Sequence, residues 1–448
     1  MTNAQEPITG VIETSNKPYS FYLNDYSLVF MDAVVDSSLH SIVRPVDGFA
    51  QATTHNGRKM LLYVGKREFD IVNTMRLGFS SYIVSDSNIF DYDISQYDGI
   101  IFVGGTLSKL KAPCAIRTQY DDATKRTYIE HLDDTQKFSF SVGDELSCEC
   151  TIGSTTAEQW GVESRSITND KVYFKMLFDK KQDTSSLYKH YNKICELLSF
   201  LTNRQNVGFD EMYLLQKDIP IGEEKRIAKV ARVFIQRQRT LTQKRQFNNL
   251  EFALLGDSIG KLLEVFYNPQ EGKSSYSLGF YPESDEDENI VNNAMVRAVC
   301  SALECELEFV SGITSDEKKK IEALTRKIKP IIEEHKVSED RLKDKTYDVI
   351  NSSMSHWSMA TADQIKALYH MYEEEMLNAN KSGLRIGDEE IQAFVKYRND
   401  ITHGSYRVLD TSIAYTTHLL ARLVYCCLLT RVGVPRENIK EWIREGRL

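Results

Sequence analysis

The stretch YRNDITHGSYRVLD, residues 397–410, directly follows the apolar-periodic run IQAFVKY and places Arg398 five residues before His403. Cleaving an RNA phosphodiester without a metal needs few groups. One removes the proton of the 2′-hydroxyl, one protonates the departing 5′-oxygen, and one stabilises the charged phosphorane. Histidine titrates near neutrality and suits the proton transfers. Arginine stays charged, and its forked guanidinium can donate two hydrogen bonds to two phosphate oxygens. Arg398 and His403 are therefore candidate catalytic residues, with Asn399, Asp400 and Thr402 as polar neighbours able to orient them. The same spacing recurs in RTYIEH, Arg126 to His131, but its flanks alternate as in a strand, which sends those two side chains to opposite faces. On a regular helix, residues five apart differ by about 140° in rotation and about 7.5 Å in rise. A second copy of the segment, brought in by a two-fold partner, would complete such a site. The residues also admit a structural reading. His403 and Gly404 make a helix stop signal, and Arg398 could pair with Glu389 or Glu390.

Several elements must position this segment. From Ile290 onward the chain has helical periodicity. Five helices are expected, over IVNNAMVRAVCSALECELEFV, TSDEKKKIEALTRKIKPIIEEHK, TADQIKALYHMYEEEMLNANK, DEEIQAFVKYRNDITH and TSIAYTTHLLARLVYCCLLTRVG. The second carries capping-box spacing at Thr314 and Glu317 and a potential kink at Pro330. Gly383 and Gly387 break the chain before the fourth, and Gly433 and Pro435 stop the fifth. Short connections make these a bundle. The fifth is apolar enough to suggest a membrane span, but it carries His418 and Arg422 and reads as a buried helix.

The first part of the chain has a different character. KMLLYVG, SSYIVSD, GIIFVGG, RTYIEHL, KFSFSV and KVYFKMLF are short, rich in aromatic and β-branched residues, and punctuated by turn signals. A sandwich or barrel is expected there. The fold class is thus α+β, with a β-rich domain over 1–220, a basic helical connector and acidic linker over 221–289, and an all-α bundle over 290–448. In the connector, Lys225, Arg226, Lys229 and Arg232 recur at helical spacing, and Arg237 and Arg239 continue the charge. They form either a solvated helix face or a patch that contacts phosphates.

The RNDITHG motif after an amphipathic helix, inside a C-terminal bundle, resembles the R-x4-6-H signature of the HEPN superfamily. A polar residue after the arginine, here Asn399, is typical of its ribonuclease members. YDGIIFVGGTLSKL, VYFKMLFDKKQD and LLSFLTNRQNVGFDEMYLL resemble the N-terminal domain of ApeA-like proteins, bacterial anti-phage proteins with a C-terminal HEPN domain. The resemblance implies a metal-independent endoribonuclease that dimerises, or assembles further, through its HEPN helices. It also implies Arg398 and His403 as the catalytic pair, with Asn399 assisting. Products with 2′,3′-cyclic phosphate and 5′-hydroxyl ends, and tRNA as a common target, belong to the same implication. A phage-encoded trigger and an N-terminal domain that restrains the nuclease are expected.

The bulk properties limit the alternatives. The 448 residues exceed the size at which one core keeps growing, so two or three domains are expected. A net charge of −9 means that any nucleic-acid contact comes from a local patch. Eight cysteines at these spacings form neither a disulfide scaffold nor a zinc knuckle and read as reduced thiols of a cytoplasmic protein. The polar N-terminus lacks the apolar core of a signal peptide. No metal, cofactor or membrane partner is expected. GDSIGK, residues 256–261, is too short for a phosphate loop and reads as a helix start; VGGT, residues 103–106, reads as a turn. The competing functional readings are a non-catalytic HEPN-type module for binding or assembly, and a lectin-like or peptide sensor with a dimerising tail.

Overall fold

The computed structural model describes residues 8–13, 18–24, 26–31, 49–63, 76–86, 93–110, 112–132, 134–160, 165–221, 224–236, 250–267, 277–284, 287, 290–310, 316–355, 361–378, 386–405 and 407–447. The chain divides into two compact units. The first is built from residues 1–201, 206–244 and 251–268, the second from 202–205, 245–250 and 269–448.

The first unit is dominated by antiparallel sheet. Its strands are β1 (Thr9–Glu13), β2 (Pro18–Asn24), β3 (Ser27–Phe30), β4 (Phe49–Thr54), β5 (Lys59–Tyr63), β6 (Arg76–Gly78), β7 (Ser81–Ser85), β8 (Gln96–Val103), β9 (Ile116–Asp121), β10 (Arg126–His131), β11 (Gln136–Val142), β12 (Leu146–Trp160), β13 (Arg165–Asp183), β14 (Glu211–Ile221) and β15 (Glu224–Ile235). Thirteen of them form one ladder in the order β11-β12-β13-β8-β14-β15-β7-β5-β4-β1-β2-β3-β6, and β9 with β10 makes a separate ribbon. The sandwich or barrel expected from strand frequency is therefore a single open sheet among the described residues, because its end strands β11 and β6 do not pair.

Alternation along β13 shows how the sheet is built. From Lys171 to Phe178 the side chains are half-exposed and buried in strict turn, with Val172, Phe174, Met176 and Phe178 inside. The buried side receives α1 (Leu187–Thr202) and α3 (Ser258–Tyr267), which follows the short α2 (Phe252–Leu255). His190 of α1 lies 4.7 Å from the Phe178 ring, and its Nδ1 is 2.8 Å from the Tyr267 hydroxyl of α3. Burial pushes His190 down to about 3, so it is a neutral core residue. GDSIGK does open a helix, and Gly260 has a packing role. A Cβ there would stand 2.5 Å from the Ser139 carbonyl oxygen on β11, so only glycine lets α3 lie this close to the sheet. Within VGGT, Gly104 and Gly105 take positive φ values of 72° and 61°, the turn expected.

The basic connector is corrected by this sheet. Residues 224–235 form β15, paired with β14 and β7, and belong to the first unit rather than to a helical linker. The unit boundary also falls earlier than the acidic run. Residues 269–284 belong to the second unit, where Phe280 and Tyr281 pack their rings against Tyr425 at 6.2 and 6.1 Å. The sequence pattern placed these aromatic residues in the linker, but their partner lies far along the chain and only folding brings it near.

The second unit is helical. It contains α4 (Asn293–Glu306), α5 (Asp316–Lys336), α6 (Asp344–Ser355), α7 (Thr361–Met371), α8 (Glu373–Asn378), α9 (Asp388–Thr402), α10 (Thr411–Arg431) and α11 (Arg436–Arg444). Among the described residues, eight helices thus stand where five were expected. α6 and α11 are additional, and the expected third helix is divided into α7 and α8. Arg436 explains the division. It donates to the Met371 carbonyl at 2.6 Å, pairs with Glu375 at 2.5 Å and covers the Tyr372 ring at 4.7 Å. α5 continues through Pro330; Thr314, of the expected capping box, and Gly383 lie outside the described residues. α10 is long and apolar enough to cross a membrane, but 72 % of its most apolar window is buried, which makes it the core helix of the bundle.

Candidate functional site

α9 carries the motif because its residues satisfy both ends of a helix. Asp388, Glu389 and Glu390 occupy the first turn, where the helix dipole favours acids, and Glu390 accepts a hydrogen bond from the Gly387 N–H at 2.8 Å. Ile391, Phe394, Val395, Tyr397 and Ile401 are buried. At the other end the Ser405 N–H reaches the Asp400 carbonyl at 2.9 Å across Gly404, whose φ is +81°. This is a Schellman stop, and the left-handed backbone at its centre accounts for the glycine. A Cβ on Gly404 would meet nothing within 4 Å, so the requirement is conformational rather than steric. The helix-stop reading of these residues is thus realised.

Three polar residues of α4 hold the C-terminal half of α9. Asn293 accepts from the Tyr397 hydroxyl at 2.9 Å, Arg297 donates to the Ile401 carbonyl, and Glu304 pairs with Arg398. One guanidinium nitrogen of Arg398 lies 3.0 and 2.8 Å from the two Glu304 oxygens, and the other donates to Asn399 Oδ1 at 3.0 Å. Arg398 is half-buried and His403 is exposed. Burial raises the Glu304 carboxyl above its ordinary value, against the pull of Arg398. Nearby, burial pushes the Cys300 thiol up to about 12, which keeps it protonated.

The three neighbours divide by role. Of the three, only Asn399 bonds the guanidinium of Arg398 among the described residues. Asp400 pairs with Arg407 at 2.8 Å, so it anchors the chain leaving the helix. The Thr402 hydroxyl donates to the Arg398 carbonyl at 2.7 Å, a bond within the helix backbone. Neither Asp400 nor Thr402 orients His403, whose side chain makes no polar contact among the described residues. Glu389 and Glu390, considered as partners of Arg398, stay in the first turn of α9. Glu304 was missed, although Asn293, Arg297 and Glu304 fall four and seven apart on one helix stripe, a pattern legible before folding.

The basic candidates lie on the first unit. Lys225, Arg226, Lys229 and Arg232 stand on the strand β15 rather than on a helix, and Arg226 is tied to Glu224 at 2.8 Å. Arg237 and Arg239 lie outside the described residues.

No model of a known family matches the chain, and neither a curated protein nor a solved structure matches it.

Proposed function

We propose that the chain is a metal-independent endoribonuclease of the HEPN type, acting in the cytoplasm in anti-phage defence. The observation that carries this reading is the position of Arg398 and His403 at the accessible end of one amphipathic helix. The arginine is held by Glu304 and Asn399, and the histidine is open to solvent. In a homodimer or larger assembly, the ends of two such helices would gather around one scissile phosphate. Arg398 exchanges its Glu304 partner for phosphate oxygens, because both are forked anionic acceptors. The 2′-oxygen loses its proton and attacks phosphorus, and the bond to the 5′-oxygen breaks as that oxygen gains a proton. His403 serves in this proton transfer. The products are a 2′,3′-cyclic phosphate and a 5′-hydroxyl end, with tRNA as the expected substrate. The first unit restrains the reaction until a phage component arrives.

A second reading is favoured by one specific feature. The Arg398–Glu304 pair and the Gly404 stop account for the same residues in a non-catalytic binding or assembly bundle. Purified wild type, Arg398→Ala and His403→Ala proteins, incubated with total RNA in EDTA, separate the two. The nuclease reading expects fragments with cyclic phosphate ends from wild type alone. Protection of cells against phage by both variants, or cleavage that needs added magnesium, would overturn it.

A further inference from the structure

The outward side of the central strands in the first unit has an unusual composition. On β13 the half-exposed residues are Lys171, Tyr173, Lys175 and Leu177. Register places Val103 between Tyr173 and Glu211, and Ile101 between Lys175 and Tyr213. Arg232 then lies opposite Tyr213, and Lys229 opposite Leu215. Two tyrosines thus stand on an apolar floor of Ile101, Val103 and Leu215. Lys171, Lys175, Lys229 and Arg232 surround them; Lys171 pairs with Glu211, and Asp86 lies near Arg58, Lys229 and Arg232. With Glu149 beside Leu177, five cations stand against three carboxylates, a positive field on a chain whose net charge is −9.

Both rings are prepared for contact. Tyr173 leans over Gly153 of β12, where a Cβ would stand 2.7 Å from its hydroxyl and 2.9 Å from the ring; glycine leaves room for the ring to lie along the sheet. Tyr213 donates its hydroxyl to Glu211 at 2.9 Å, and Glu211 also takes Lys171 at 3.2 Å, which fixes the ring's orientation. Lys229 rests 4.3 Å from the Tyr213 centroid, and Arg232 lies 5.9 Å from it and 5.1 Å from Phe234. A base stacked on an aromatic side chain contributes more than a cation–π contact at an accessible site. A phosphate that draws Lys229 off the ring therefore exposes a better partner for the base beside it.

We propose that this sheet face binds single-stranded RNA, with Tyr173 and Tyr213 as stacking platforms and Lys171, Lys175, Lys229 and Arg232 as phosphate contacts. Charge complementarity and the paired rings select a polyanion with flat bases over an acidic polypeptide. The choice of RNA over DNA rests on the ribonuclease reading; binding itself does not.

The experiment measures fluorescence anisotropy of a labelled twelve-nucleotide oligouridine on the full chain carrying His403→Ala, so that cleavage cannot interfere. Saturable binding is expected, with log Kd changing against log salt at about 0.7 per phosphate engaged. Lys229→Gln with Arg232→Gln should lower that slope by about 1.4. Tyr173→Leu and Tyr213→Leu should each weaken binding by about five-fold or more, whereas Tyr173→Phe should bind like the parent because the ring remains. Parent-like binding by the leucine variants would overturn the proposal. So would equal binding of a twelve-residue polyglutamate, or absence of saturable binding at low salt. If wild-type protein shows the same binding but never cuts RNA, the nuclease reading fails and this one stands.

Discussion

Replacing Arg398 with methionine removes the charge and keeps most of the length, which isolates the ion pair with Glu304. With 24 % and 34 % of the two side chains exposed, the pair is neither a surface contact nor a fully buried one. Surface pairs contribute about 0–1 kcal/mol, and breaking a buried pair costs about 3–5 kcal/mol. A loss of about 1.5 kcal/mol at neutral pH is the resulting expectation. For a unit of this size, that lowers Tm by about 3–6 °C. The loss must also depend on pH. Burial already raises the Glu304 carboxyl and Arg398 opposes that shift, so removing the guanidinium raises it further. A carboxyl that binds its proton more tightly when folded adds stability at low pH, and that stability disappears as pH rises through its folded value. Thermal unfolding of Arg398→Met and wild type at about pH 5 and about pH 8 should therefore show the larger deficit at the higher pH. Adding Glu304→Gln should recover most of it. Equal deficits at both pH values, or a double variant no better than the single, would refute the reasoning. Activity supplies an independent readout. Glu304→Gln leaves Arg398 charged and without a competing carboxylate, so cleavage at or above the wild-type level is expected, while Arg398→Met should cut nothing.

Three further outcomes follow from the same bundle. Burial pushes Glu306, paired with Arg431 at 2.9 Å, up to about 7. Stability should fall by about 3 kcal/mol as pH rises from about 4.5 through about 7, and Glu306→Gln should flatten that slope in denaturant titrations. Arg436→Ala strips the partner from Glu375, whose side chain is 4 % exposed, and should cost about 3–5 kcal/mol by chemical denaturation. Gly404→Ala forces a side chain into the left-handed region and should lower stability by about 1 kcal/mol; Gly404→Asn should lower it less, as Tm comparison would show.

Much of the site could be read before folding because its signals are local. The apolar period of residues 391–401, the acids of the first turn and the glycine after His403 define α9 from neighbours within a few residues. The alternation of β13 likewise needs only the chain itself. The errors came where one pattern fits two periods. Lys225, Arg226, Lys229 and Arg232 suit a helix by spacing, yet Ala228, Val230 and Ala231 give the segment enough apolar surface to join a sheet between β14 and β7.

The amino-acid order alone determined where α9 starts and stops, that the first half of the chain is β-rich, and which residue types could act on a phosphodiester. Tertiary structure decided that Arg398 answers to Glu304 rather than to Glu389 or Glu390, that Arg436 divides α7 from α8, and that two tyrosines and four cations share one sheet face. The reason is distance along the chain. Capping and periodicity act over a few residues, whereas Glu304 lies 94 positions from Arg398, and only packing of α4 against α9 makes them neighbours.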